Sequence, residues 1–84
     1  MAAEHTVLFV DDDETIVDRF VELLGREDYE IATATGAESG FALLRGRPIS
    51  LAIVDESMPE ILGADFLEEA KSISPNTIRI LLTA

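Results

Sequence analysis

Two short apolar runs in this chain end abruptly in carboxylates, and that pairing restricts the fold more than any other feature. Val7-Leu8-Phe9-Val10 leads into Asp11-Asp12-Asp13, and Leu51-Ala52-Ile53-Val54 leads into Asp55-Glu56-Ser57-Met58-Pro59. Uniformly apolar runs of this length are the pattern of strands covered on both faces, as in parallel sheets. Such strands present their terminal acids at one rim. If the two strands are neighbours, Asp11, Asp12 and Asp55 converge. Unit charges about 4 Å apart repel by about 4 kcal/mol at an effective dielectric of about 20. A cluster of that kind needs a proton or a cation, and its oxygen donors suit a hard ion such as Mg2+ (or Mn2+).

The segments between and beyond these runs supply the rest of an alternating pattern. Ile16, Val17, Phe20, Leu23 and Leu24 form a helical stripe, with Gly25 as its stop. Tyr29 to Ala34 reads as a weaker strand and hence an edge. Thr35 and Glu38 have capping-box spacing ahead of a second helix with Ala37, Gly40, Phe41 and Leu44 on one face, ended by Gly46 and Pro48. After a loop bracketed by Pro59 and Gly63, Phe66, Ala70 and Ile73 mark a third helix starting near Ala64 and stopping at Ser74-Pro75-Asn76. Thr77 to Leu82 is the last strand. The order β-α-β-α-β-α-β implies an α/β fold with a parallel sheet, right-handed crossovers and helices on both faces. In such sheets ligands bind beyond the carboxyl ends of the strands. Asp11, Asp12, Asp55 and Thr83 all fall at that rim.

With 84 residues there is room for one domain. A domain of this size buries only roughly 60–65% of its unfolded surface, so its margin is thin. A hydrophobic content of 48% nevertheless argues for a folded core despite a net charge of -11. That charge speaks against dependence on a nucleic-acid backbone, which requires clustered Lys and Arg, and against docking on anionic lipid. There is no cysteine, so disulfides, zinc thiolates and a thiol nucleophile are excluded. The N-terminus lacks the charged and apolar regions of a signal peptide, and no apolar run approaches the ~18 residues of a membrane span. The chain reads as soluble and cytoplasmic.

An aspartate beside a bound divalent ion can act as a nucleophile toward phosphorus. Taken with that chemistry, the chain resembles the receiver domain of two-component response regulators, a flavodoxin-like fold. The resemblance covers all 84 residues and rests on Asp11-Asp12 after the first strand, Asp55-x-x-Met58-Pro59-x-x-x-Gly63 after the third, and Thr83-Ala84 after the fourth. It implies strand order 2-1-3-4-5. It implies Asp55 as phosphoacceptor, with Asp12, Asp55 and the backbone carbonyl of Ser57 as magnesium ligands and Asp11 holding the ion through water. Thr83 would be the hydroxyl that turns toward the phosphate. A sensor histidine kinase or histidine phosphotransfer protein would be the donor. The family pattern continues through a fourth helix, a fifth strand and a fifth helix, so residues 1–84 read as a receiver fragment. None of Arg19, Arg26, Arg45, Arg47, Lys71 and Arg79 matches the lysine the family places after its fifth strand. An uncovered fourth-strand edge would favour homo-oligomers.

Plainer roles stand beside these. Asp13 reads as a helix cap, Met58 and Phe66 as packing residues, and His5 as part of an N-terminal tail with no ligand role. Arg79 in an apolar strand has no account from sequence. A haloacid dehalogenase-type phosphatase fragment is an alternative, with Asp11 as nucleophile, Asp13 as acid/base and Leu82-Thr83 as second motif. It leaves Asp55-x-x-Met58-Pro59 unexplained. A non-signalling, self-associating fragment is another. EF-hand offsets at Asp11, Asp13, Thr15 and Glu22 fail because the sixth loop position is Ile16, where glycine is needed.

Overall fold

The computed structural model describes residues 5–25 and 28–83. Arg26 and the Ala84 of the Thr83-Ala84 motif lie outside the described residues, as does most of the expected N-terminal tail. The elements follow the anticipated alternation: β1 (His5–Val10), α1 (Glu14–Leu24), β2 (Tyr29–Ala34), α2 (Ala37–Gly46), β3 (Leu51–Asp55), α3 (Gly63–Ile73) and β4 (Ile78–Leu82). All pairings are parallel, in one sheet of order β2-β1-β3-β4. This is the flavodoxin-like arrangement, and it sets the two acid-ended strands side by side, with Val10 opposite Val54.

Side chains alternate across a strand, so each strand serves both faces. On one face Leu8, Val10, Ala32, Ala34, Ala52 and Val54 form the main core with Phe41 and Leu44 of α2 and Phe66 and Ala70 of α3. The two helices come close enough for Phe41 and Phe66 to stack at 4.5 Å. Glycine permits this approach, because a Cβ at Gly40 would meet Phe66 Cζ at 2.9 Å. The other face carries α1. There Phe20 stacks on Phe9 with centroids 4.0 Å apart, and Val17 is buried. The Tyr29 hydroxyl donates to the Leu24 carbonyl and ties the end of α1 to the start of β2.

Several local expectations change. Most of the α1 stripe is not covered: Leu23 is 70% exposed, and Ile16 and Leu24 are also exposed. The helix packs over Phe9 and toward β2, leaving an apolar groove that runs from Phe20 and Leu23 across to Leu82 of β4. Helix α2 is not closed by a Thr35–Glu38 box. Its N-cap is Gly36, and the Ala37 N–H donates instead to Glu60 Oε1 at 3.0 Å, from the loop after β3. The same helix runs through Gly46 to an Arg47 cap ahead of Pro48. His5 belongs to β1, and its Nδ1 lies 3.0 Å from Ser50 Oγ. Thr77 precedes β4 as a buried polar plug whose hydroxyl donates to the Ile49 carbonyl at 2.6 Å. Arg79 lies half-buried on β4 and donates to the Thr77 carbonyl at 3.0 Å.

Candidate functional site

The three acids after β1 sit in different settings. Asp11 is fixed through its backbone, its N–H donating to the Ala34 carbonyl of β2 at 3.1 Å. Its carboxylate then accepts from the Asp13 N–H at 3.0 Å. Asp13 turns its own carboxylate to the Thr15 N–H at 2.9 Å and so caps α1, as its sequence position implied. Asp12, between them, is exposed. On the neighbouring strand Asp55 ends β3, half-buried, in register with Leu82 of β4. One carboxylate oxygen from each of Asp11, Asp12 and Asp55 lies within 4.8 Å of the others.

The setting of Asp11 favours its protonated form. Asp11 is only 5% exposed. Burial pushes its carboxyl above the ordinary aspartate value, the Asp13 N–H partly offsets this, and the charges of Asp55, Asp12 and Asp13 push it up again. A proton or a cation is what such a group lacks. Three clustered carboxylates are hard oxygen donors, so the residues present fit Mg2+ or Mn2+ by their chemistry.

The loop after Asp55 explains the Met-Pro-x-x-x-Gly pattern physically. The Glu56 N–H donates to the Leu82 carbonyl and the Gly63 N–H to the Glu56 carbonyl, each at 2.9 Å. Ser57 and Leu62 form an antiparallel bridge across the loop. Met58 is buried in the core and anchors it from below. Gly63 leaves no room for a side chain: a Cβ there would collide with the Asp55 carbonyl and sit 2.6 Å from Leu81 Cδ1. Ser57 is exposed two residues beyond Asp55, and Thr83 is exposed directly after Leu82, at the same end of the sheet.

Several of the described basic side chains have partners away from the acids. Arg47 pairs with Glu30 at 2.8 Å and reaches Thr6, Arg45 lies over the Phe41 ring, and Lys71 and Arg79 line a surface between α3 and β4. One participant was missed altogether from sequence. Glu60 links the loop to α2 across 23 positions, and no local pattern announces a contact of that range.

Known proteins share this fold and sequence pattern. The profile of the response regulator receiver domain matches residues 7–84. The hydrogenase transcriptional regulatory protein HoxA of Cupriavidus necator is 33% identical over 80 residues, which is 95% of this chain and 16% of that protein. Response regulator SaeR of Staphylococcus aureus is 33% identical over 93% of this chain and 34% of its own length. The chain therefore spans well under half the length of these curated relatives. Among solved structures, a CheY-like response regulator receiver domain protein from Methanospirillum hungatei matches with a TM-score of 0.87 and 33% identity, over 94% of this chain and 63% of that one. The phosphatase alternative loses its footing here, because Asp13 is engaged as a helix cap and the relatives are response regulators. Receiver domains are modules of phosphorelay signalling rather than enzymes, and it is to the response regulator receiver domain family that this chain belongs.

Proposed function

We propose that this domain accepts a phosphoryl group on Asp55 from the phosphohistidine of a sensor histidine kinase or histidine phosphotransfer protein, in a Mg2+-dependent reaction. The observation that carries the reading is the meeting of Asp11, Asp12 and Asp55 within 4.8 Å at the ends of β1 and β3. A carboxylate oxygen of Asp55 attacks phosphorus, the P–N bond of the donor breaks, and its electron pair returns to the imidazole nitrogen. Asp12, Asp55 and the Ser57 carbonyl are the residues that would hold the ion, with Asp11 acting through water. A bound divalent ion would neutralise charge on the phosphoryl group in transfer, where catalysis rests mainly on electrostatics and positioning.

Thr83 stands at the end of the neighbouring β4, where its hydroxyl can donate to a phosphoryl oxygen on Asp55. The added charge would then bias the surface around β4. A cytoplasmic setting suits exchange with a kinase, and no described helix is long and apolar enough to cross a membrane. The net charge of -11 gives no support to binding nucleic acid or anionic membrane through this domain. The exposed residues Ile78, Ile80 and Leu82 on edge strand β4 support self-association through that edge.

Incubating a full-length form of the protein with acetyl phosphate and Mg2+ is expected to add one phosphoryl group by mass spectrometry, and Asp55→Asn to prevent it. Labelling that survives the substitution unchanged overturns the assignment of Asp55.

A further inference from the structure

We infer that Glu60 is a positioning residue for the acid site, clipping the loop that carries Ser57 onto the start of α2. The inference deepens the phosphoacceptor reading and rests on it. Helix α2 begins at Gly36, a cap residue with no side chain to satisfy the first-turn donors. The missing acceptor arrives from a distant segment, because Glu60 Oε1 accepts the Ala37 N–H at 3.0 Å. The same oxygen would lie 3.5 Å from a Cβ on Gly36. A carboxylate there also meets the favourable end of the helix dipole.

The loop from Asp55 to Gly63 is thus held on two sides. Toward α3 and β4 it is fixed by the Glu56–Leu82 and Gly63–Glu56 bonds and by the Ser57–Leu62 bridge. Toward α2 its tie is Glu60. Met58 pins the stretch from the core side, between Ser57 and Glu60. Removing the α2 tie frees the outer edge of the loop while leaving Asp11, Asp12 and Asp55 on their strands. The cost should therefore fall on a ligand that needs the loop carbonyl, not on the three carboxylates themselves.

Capping and positioning can be separated by moving the cap. Gly36 has φ -157 and ψ 168, extended backbone that any residue adopts, and the space beside it is open to a small side chain. In Glu60→Ala, calorimetric titration with Mg2+ should show a Kd weakened by about tenfold, the scale of lost support around metal ligands. Hydrogen exchange in EDTA should be faster both at Ala37 and in the 56–62 loop. Adding Gly36→Ser supplies a local cap. The thermal midpoint and the protection of the first α2 turn should recover, while the loop stays fast and the Kd stays weak. Glu60→Gln, which keeps an acceptor oxygen, should remain close to wild type in Kd. If Gly36→Ser restores Mg2+ affinity together with stability, Glu60 is only a cap and the inference fails. An unchanged Kd in Glu60→Ala also defeats it. If the wild-type protein shows no Mg2+ binding that Asp12→Asn removes, the phosphoacceptor reading itself is lost, a result distinguishable from the other two.

Discussion

The face of the sheet beneath α2 and α3 and the face beneath α1 are made by alternate residues of the same strands, yet they end in opposite conditions. Under α2 and α3, Leu8, Val10, Ala52, Val54, Phe66 and Ala70 are all 0% exposed. On the α1 side Phe9 of β1 and Val17 of α1 are buried, while Ile78, Ile80 and Leu82 of β4 are exposed. Apolar sequence is similarly abundant on both. Within the described residues, two helices that pack on each other cover one face, and a single helix leaning toward β2 covers the other. Burial follows the covering elements, and apolar content alone does not reveal it.

Cutting into the closed face should do the most damage. Phe66→Ala removes a fully buried ring stacked on Phe41, and a loss of about 3–5 kcal/mol in urea unfolding followed by circular dichroism is expected. A loss below about 1 kcal/mol would mean that this face is no better packed than the other. A smaller effect is expected at Asp11, two residues beyond Phe9 and buried just after β1. Its carboxyl titrates above the ordinary value in the folded chain. Its contribution to stability is therefore present in acid and lost as pH rises through that raised value. Asp11→Asn should raise the thermal midpoint of the metal-free protein at neutral pH. The gain should vanish in acid, and the variant should respond less to Mg2+. The smallest change in stability belongs to the open face. Ile80→Lys should stay within about 0.5 kcal/mol of wild type. It should, however, reduce the oligomer that light scattering is expected to detect, since lysine on an edge strand opposes strand addition. Monomers alone in the wild type would remove self-association from the proposal.

Much of the architecture could be read from the residues because its signals are local. Apolar runs such as Val7–Val10 and Leu51–Val54 have only one comfortable home, and Gly25 and Pro48 mark real ends or near-ends of helices. The Asp11-Asp12 and Asp55 signals were also legible, since strand ends in a parallel sheet lie at a common rim. What escaped were relations between distant segments. Glu60 takes the place of the Thr35–Glu38 cap that their spacing predicts, because an extended Gly36 enters α2 facing the incoming carboxylate. The α1 stripe is truly helical, but periodicity says nothing about what stands opposite. Arg79 looked misplaced in an apolar strand until Thr77 gave its guanidinium a carbonyl.

The absence of a side chain at Gly63 has a mechanical meaning beyond tight packing. The first residue of α3 packs directly against the carbonyl of Asp55, although the 56–62 loop separates the two in sequence. An 11-residue helix is about 16 Å long, so a tilt of about 5° at its base carries its far end through about 1.4 Å. Any displacement of the Asp55 carbonyl would therefore press first on the start of α3, the helix that carries Lys71 in its last turn.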